Sequence, residues 1–597
     1  MNRNNTVWGR VPAGWGDVAG GVVALAFAGA VFLLLSHKDY YISGQWTAII
    51  ALALAGVACV ARGRDGLFFG LGLAGALLAV ALICLPLGRA TWGAADDYII
   101  PMMLGESGRM TFPQFLAHCG KVDSLSVVTG NTSGRFQPFF VLSYAVNAFL
   151  FGDAIHLWYV LYGVLFLAAV ALAFLALRLF FDGVTAVLSG CLVLTVLPWH
   201  WLFRDTGVVE VYGLFWLALL VYLMARTGGR EAVGPWAYGL IAASNLCLLG
   251  TKETFVLAGV LPLAFAACRI VRRDPARRRG AWAFLAVLLV SDLYFLWGIW
   301  ATLAARGVDV HGRPMDYREF FDDINLDLKS FATAAGLQWY LAAVAVLVSA
   351  NAWIGGRKDR VADAPNKSLP FAGVAAFLFL LGLSQYVFYD GQVDNQHYAI
   401  PFAMIPALLW LALGWYFLAT ASRFPWRGWR VAARLAVPFA IAYCFVATPS
   451  FSRDLVRILV AANQGYQERL AGIAASLAAE PGRPLVLVAV PGDNDEFVVS
   501  PAVYLKKVFR VANPIHVAVT AGGEASADPA SPVARIAREG YVDVIAAGAA
   551  PAGRAPFRLG VVAAPPDGDG NLGKLFPLAT ENPELKLHPV FSYNRIP

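Results

Sequence analysis

Residues 156–178, "HLWYVLYGVLFLAAVALAFLALR", carry no charged side chain between His156 and Arg178. This is the length of apolar α-helix that crosses about 30 Å of hydrocarbon. Similar apolar runs recur along a chain of 597 residues that is 59% hydrophobic and 14% charged, with a mean hydropathy of +0.62. The sequence therefore predicts a polytopic α-helical membrane protein and excludes an ordinary soluble globular protein.

The apolar runs predict about thirteen membrane spans, of which the first is a retained helix rather than a cleaved signal peptide. The predicted spans are 17–36, 45–62, 67–88, 156–178, 183–203, 208–225, 235–251, 254–270, 281–304, 331–353, 369–389, 397–419 and 433–449. The segment 138–152 is too short for a full span, so we interpret it as a juxtamembrane or re-entrant helix.

The orientation follows from the basic residues, which cluster in short loops such as 269–279, "RIVRRDPARRR". Because arginine and lysine are enriched in cytoplasmic loops, these loops and the N-terminus are predicted to be cytoplasmic. We expect a multi-pass protein of the cell inner (plasma) membrane with its C-terminus outside the cytoplasm. The net charge of +7 is explained by topology and indicates no nucleic-acid partner.

The chain divides into three predicted regions. Residues 1–66 hold two additional N-terminal spans, and residues 67–450 form a transmembrane module with outer loops 89–155 and 305–330. Residues 451–597 change to a soluble pattern of short β-like runs after a helical stretch. The runs are "RPLVLVAVPG", "RVANPIHVAV", "YVDVIAAGAA" and "FRLGVVAAP", and the helical stretch covers 453–479. This composition predicts a small extracytoplasmic α/β domain.

Two adjacent carboxylates, Asp96 and Asp97, lie in "TWGAADDYII" at 91–100, directly after a predicted span. By the orientation above, they face the outside of the membrane. Paired acids at this depth serve as a base, hold a cation, or form a solvated helix cap. No ligand spacing in the chain requires a metal, although a divalent cation across the pair is compatible with this pattern.

Two further outer-face stretches carry charge. Arg135 in "SGRFQP" is suited to binding a phosphate, because its planar guanidinium group donates two parallel hydrogen bonds. The same pattern is also typical of an arginine whose charged group reaches the water at the membrane interface. Lys252 and Glu253 in "LLGTKETF" lie at the junction of two predicted spans. Either Lys252 binds a phosphate there, or the two side chains only neutralise each other's charge. Nearby candidate substrate-binding residues are His200, Arg204, His397 and Tyr398.

The order of these motifs resembles that of the membrane-embedded glycosyltransferases of superfamily C, which use polyprenyl- or dolichyl-phosphate-linked sugars. The resemblance is carried by Asp96 and Asp97 in the first large outer loop, by "GRFQP" with Arg135, and by "TKE" with Lys252 and Glu253. The resemblance is specific over about residues 67–270. The later spans and the C-terminal tail are similar only in their general type. Two additional spans precede the first outer loop here, whereas in the family that loop usually follows the first span.

The resemblance implies that Asp96 or Asp97 acts as catalytic base, that Arg135 and Lys252 hold the lipid phosphate, and that Glu253 orients Lys252. Because a lipid phosphate is already a good leaving group, the reaction needs cations and a base but no general acid. Direct attack by the acceptor hydroxyl inverts the anomeric carbon. The expected partners are a polyprenyl-phosphate sugar and an envelope glycan, lipid or protein acceptor in the bilayer, with no required cofactor.

Two other functions remain open at this point. A secondary transporter or channel for a polar solute is favoured by the number of spans and by intramembrane charges such as Asp292. A scaffold of an envelope assembly is favoured by the C-terminal domain. Large outer loops and an appended domain are not required by an alternating-access transporter, so we favour the glycosyltransferase.

Overall fold

A computed structural model describes a large part of the transmembrane module and of the C-terminal domain. The described residues are 65–93, 97–105, 107–120, 136–181, 183–196, 199–203, 206–228, 233–272, 275–306, 453, 455–489, 496–519, 532–546, 556–560 and 579–580. Six predicted spans lie outside the described residues, as does the predicted outer loop at 307–330. These spans are 17–36, 45–62, 331–353, 369–389, 397–419 and 433–449.

The first described part is a helical bundle. Its helices are α1 (Asp65–Cys84), α2 (Ile99–Met103), α3 (Phe112–Gly120), α4 (Pro138–Phe151), α5 (Ile155–Phe180), α6 (Gly183–Val196), α7 (Glu210–Gly228), α8 (Pro235–Leu249), α9 (Val260–Arg272) and α10 (Pro275–Arg306). Short 3₁₀ turns extend three of these elements, at Leu85–Arg89, Trp199–Phe203 and Glu253–Gly259.

Five helical stretches among the described residues are long and apolar enough to cross a membrane. They are Phe69–Arg89, Ile155–Phe180, Glu210–Gly228, Glu253–Val271 and Arg278–Ala301. Each overlaps a span expected from the sequence, which confirms that the chain is a helical membrane protein. The full count of spans and their orientation stay predictions.

Three apolar helices are shorter. The segment expected to be juxtamembrane or re-entrant forms α4, which has 14 residues and a length of about 21 Å, less than the hydrocarbon thickness. The predicted span 183–203 is a 14-residue helix followed by a 3₁₀ turn, and 235–251 is a 15-residue helix that ends before Gly250. Both end close to the polar cluster described below.

Helix α5 lies at the centre of the bundle and contacts α1, α6 and α7. One face carries the buried aromatic side chains of Trp158, Tyr162 and Phe166, which recur every four residues. The other face leaves Val160 and Val164 exposed, as expected for a side that meets lipid. The helix is therefore apolar all round, and within the described part of the chain it packs through one face.

Glycines let the helices approach one another closely. A side chain at Gly190 of α6 would overlap the ring of Phe174 in α5, and one at Gly163 would come within 3.1 Å of Cys84 in α1. Small residues at such contacts are a common means of helix packing in membranes, where van der Waals contact replaces the hydrophobic effect.

The second described part is an α/β unit. It starts with a helix, α11, at 455–479, followed by β1 (Leu485–Ala489), α12 (Glu496–Val503), β2 (Ile515–Val519), α13 (Pro532–Arg538), β3 (Asp543–Ala546), β4 (Phe557–Gly560) and β5 (Ala579–Thr580). The predicted helix and the four predicted β-like runs are thus confirmed.

The sheet has the order β3-β2-β1-β4-β5, in which the first four strands are parallel and β5 is antiparallel to β4. In register, Leu485 lies opposite Ile515 of β2 and Phe557 of β4. Consecutive residues of β1, Leu485, Val486 and Leu487, are all buried. A strand that is buried on both faces is typical of a parallel sheet covered by helices on each side.

We predict that Gly213→Ala destabilises the bundle, because a methyl group there would overlap the ring of Phe255. Overpacking of this kind costs about 1–3 kcal/mol, which should lower the thermal unfolding midpoint of the purified protein in detergent. The matched control is Gly239→Ala, on the exposed side of α8 with open space around its Cβ, which should leave the midpoint unchanged or raise it. Equal midpoints for the two variants would contradict the close approach at Gly213.

Candidate functional site

A polar cluster lies at one end of the helix bundle, where α1 ends and where α5 and α7 begin. Of the residues predicted to form a site, Asp97, Lys252 and Glu253 lie in this cluster. His200 belongs to the 3₁₀ turn Trp199–Phe203. The other predicted residues, Asp96, Arg135, Arg204, His397 and Tyr398, lie outside the described residues.

Asp97 is the centre of the first half of the cluster and is 0% exposed. Its Oδ2 accepts hydrogen bonds from the backbone N–H of Gly93 at 2.7 Å and from the Tyr159 hydroxyl at 2.8 Å. Its Oδ1 accepts from the backbone N–H of Thr206 at 2.7 Å and from the Thr206 hydroxyl at 2.6 Å. Four donors on one carboxylate offset the loss of hydration that burial causes.

A second layer of tyrosines holds Thr206 in position. The Tyr144 hydroxyl donates to Thr206 Oγ1 at 2.8 Å, and the Tyr162 hydroxyl donates to the Thr206 carbonyl oxygen. These tyrosines come from α4 and α5, so four segments of the chain meet around Asp97. Such a saturated, buried carboxylate is suited to organising the fold around it rather than to accepting a proton from a substrate.

Lys252 forms a buried ion pair with Glu210, the first residue of α7. Lys252 is 2% exposed and Glu210 is 4% exposed. An ammonium group at this depth requires a counter-charge, because the cost of removing it from water exceeds what a hydrogen bond to a neutral group returns. The sequence predicted Glu253 as the partner of Lys252, whereas in the structure Lys252 pairs with Glu210.

Glu253 instead binds the segment that leads into α4. Its Oε1 accepts from the backbone N–H of Phe136 at 3.0 Å, and its Oε2 accepts from the Gln137 side-chain amide at 2.8 Å. The backbone N–H of Phe139 also donates to the Gly250 carbonyl at 2.9 Å. The "GRFQP" and "TKE" motifs, more than a hundred residues apart in sequence, are therefore in direct contact.

One segment links the two halves of the cluster. Thr206, which binds Asp97, and Glu210, which binds Lys252, are four residues apart at the start of α7. The acid-pair motif and the "TKE" motif are therefore joined through residues 206–210, and "GRFQP" is joined to them through Glu253. All three motifs therefore lie in one polar cluster, whose hydrogen bonds and ion pair are connected through the chain at 206–210 and 252–253.

The described part of the cluster has an excess of negative charge, with the carboxylates of Asp97, Glu210 and Glu253 and the ammonium of Lys252. An anionic ligand at this site therefore requires cations beyond Lys252. In the sequence, Arg135 directly precedes Phe136, and Arg204 precedes Thr206 by two residues.

No metal centre is formed within the part of the chain that the structure describes, where no group of three or more histidine, cysteine, aspartate or glutamate side chains is arranged to hold an ion. Both oxygens of the Asp97 carboxylate accept hydrogen bonds from N–H and O–H donors.

The residues of the cluster that were not among those predicted to form the site include Tyr159, Thr206, Glu210 and Gln137. Only Glu210 carried a signal in the sequence, as a carboxylate at the predicted start of a span. Tyr159 and Thr206 are ordinary residues of apolar or turn segments, and Gln137 adjoins a predicted site residue. Their partners are distant in sequence, so no local pattern identified them.

No protein-family model matches the chain, and no curated protein matches it in sequence. The resemblance to superfamily C glycosyltransferases therefore rests on the motifs themselves.

We predict that Asp97→Asn destabilises the fold. The amide keeps one acceptor, but its NH₂ group would face N–H and O–H donors in a buried site, at a cost of about 3 kcal/mol. The measurement is the thermal unfolding midpoint and the monodisperse yield in detergent. Asp543→Asn, which changes an exposed carboxylate of the sheet, is the control and should leave both unchanged. An unaltered midpoint for Asp97→Asn would contradict the structural role of this carboxylate.

The Lys252–Glu210 pair predicts strong coupling in a double-mutant cycle. Lys252→Met strands a buried carboxylate and should cost about 3–5 kcal/mol, whereas Lys252→Met combined with Glu210→Gln should recover a large part of that loss. The free energies of unfolding in detergent of the two single variants and the double variant give a coupling of about 1–3 kcal/mol. Purely additive effects would show that the two side chains do not depend on each other.

Proposed function

We propose that the protein is an inverting glycosyltransferase that moves a sugar from a polyprenyl-phosphate donor to an envelope glycan, lipid or protein on the outer face of the membrane. The observation that carries this proposal is the convergence of the "DD", "GRFQP" and "TKE" motifs on one network at one end of the bundle. A donor whose phosphate lies at the membrane surface would meet the enzyme at such an end, where the helices terminate.

The proposed roles combine the contacts of the described residues with the positions of the others in the sequence. Asp97 is buried and saturated with donors, so the adjacent Asp96 is the better candidate for the base that takes the proton of the acceptor hydroxyl. Arg135 and Lys252 are the proposed phosphate ligands, and Arg204 would add the further cation that the acidic cluster requires. Glu253 holds the "GRFQP" segment beside Lys252, which makes it a positioning residue.

The reaction requires only these groups. The acceptor oxygen attacks the anomeric carbon, its proton passes to Asp96, and the bond between the anomeric carbon and the phosphate oxygen breaks with both electrons on the phosphate. The arginines and Lys252 stabilise the charge on the departing lipid phosphate. No cofactor enters these steps, and a divalent cation would act only as one more counter-charge for the phosphate.

We predict that Asp96→Asn reduces transfer by about 10²–10⁴-fold without lowering the unfolding midpoint. The assay feeds a small panel of radiolabelled polyprenyl-phosphate sugars and crude envelope acceptor to membrane fractions with matched amounts of protein. Asp543→Asn is the control carboxylate and should transfer at the wild-type rate. Inversion is checked by determining the anomeric configuration of the product by NMR.

Two results would count against this assignment. Equal rates of sugar transfer by the wild type and Asp96→Asn would show that Asp96 is not the catalytic base. Retention of configuration at the anomeric carbon would exclude direct attack by the acceptor. The absence of transfer from every donor tested, with well-folded wild-type protein, would overturn the glycosyltransferase proposal itself.

A transporter of a polar solute is the second candidate, supported by a polar contact inside the bundle. Asp292 of α10 is buried, and its Oδ1 accepts a hydrogen bond from Asn245 of α8 at 2.9 Å. Ionisable residues within membrane helices commonly mark solute pathways. Solute flux into liposomes that hold purified protein, lost in Asp292→Asn, would favour this function over sugar transfer.

A further inference from the structure

The C-terminal α/β unit contacts the segment that precedes Asp97. The side-chain amide of Gln464 donates to the carbonyl oxygen of Arg89 at 2.9 Å, and that of Gln467 donates to the carbonyl oxygen of Trp92 at 3.0 Å. Both glutamines lie on α11, about one turn apart. They bind backbone carbonyls at the end of the first described span, so the contact fixes the path of the chain there.

Tyr504 makes the most deeply buried of these contacts. It is 0% exposed, its hydroxyl donates to the Gly93 carbonyl oxygen at 2.7 Å, and its ring lies 6.1 Å from the ring of Trp92. Tyr504 starts a π-helical turn, Tyr504–Val508, and such turns often occur at functional positions. Burial, and after it the negative charge of Asp97, raises the pKa of Tyr504 well above its usual range, so the hydroxyl stays a donor at physiological pH.

Gly93 connects Tyr504 to the candidate site. Its carbonyl accepts from Tyr504 while its N–H donates to Asp97 Oδ2 at 2.7 Å. There is little space around it, since a Cβ at Gly93 would lie 3.0 Å from Asp97 Oδ2 and 3.3 Å from Asn463 Nδ2. A displacement of Gly93 would therefore move a donor of the Asp97 carboxylate.

The C-terminal unit also contacts the chain after Asp97. The π-helical turn that begins at Tyr504 packs against α2, the short helix at Ile99–Met103. The described residues on both sides of 94–96 are therefore in contact with the same element of the α/β unit. Contacts at both places restrain the described residues around Asp97 more than a contact at one of them would.

We propose that the C-terminal α/β unit acts as a clamp on the chain around Asp97, which it contacts at 89–93 and at Ile99–Met103. Tyr504 is the positioning residue, because it fixes the position of Gly93 and thereby that of the Asp97 carboxylate. The clamp requires both parts of the protein to be joined and docked. Its effect on sugar transfer rests on the proposed function, but its effect on the loop does not. The domain thus has a structural role in the candidate site, separate from any ligand that it binds itself.

The test compares hydrogen–deuterium exchange in full-length wild type, Tyr504→Phe and Tyr541→Phe in lipid nanodiscs. Tyr504→Phe keeps the ring against Trp92 and removes the hydroxyl, which donates to Gly93 and also forms a hydrogen bond with Ser500. Peptides that cover 85–104 should exchange about tenfold faster in this variant, while peptides from α5 and from the sheet stay unchanged. Tyr541→Phe, a tyrosine of the same domain beside Lys507, should exchange as the wild type does.

A second readout is the rate of transfer by the same proteins. Tyr504→Phe should lower kcat about tenfold with the donor KM unchanged, a pattern that general destabilisation would not give. Exchange in 85–104 that matches the wild type would overturn the clamp. Faster exchange in a protein that transfers no sugar would support the clamp and overturn the glycosyltransferase proposal, so the two failures are distinguishable.

Discussion

The buried carboxylate of Asp97 is the interaction on which the described site depends. A charged group without exposure to water is stable only with several donors, and here they come from Gly93, Tyr159 and Thr206. These residues belong to the end of one helical stretch and to the beginnings of α5 and α7. To satisfy this one carboxylate, three segments of the chain must lie within hydrogen-bond distance of it. This requirement determines how the segments are arranged at this end of the bundle.

The remaining charges follow the same rule. Lys252 is neutralised by Glu210, and Glu253 is satisfied by the backbone and side chain of the segment before α4. All of these groups lie where helices end, where backbone N–H and C=O groups also need partners. The carboxylates accept from backbone N–H groups of the connecting segments, at Gly93, Thr206 and Phe136, and the result is a polar cluster at one end of the bundle.

The α/β unit extends this network beyond the bundle. Tyr504 and two glutamines of α11 bind three backbone carbonyls close to Asp97. These hydrogen bonds go to backbone acceptors and so do not require particular side chains at 89 and 92, although the Trp92 ring also packs against Tyr504. At Gly93 there is little space for a side chain. The domain is therefore a structural neighbour of the site, and its parallel sheet supplies a stable base for Tyr504.

The sequence alone determined the membrane class, the positions of the long helices, the helix and strands of the α/β unit, and the three motifs, because apolar periodicity and turn residues act over a few residues. It left the two adjacent acids equivalent, and it gave no signal for Tyr159, Thr206 or Tyr504. Only the tertiary structure decided that Asp97 is buried and that Lys252 pairs with Glu210. The reason is that their partners lie 62, 109 and 42 residues away, and Tyr504 lies 411 residues from Gly93, separations that no local pattern encodes.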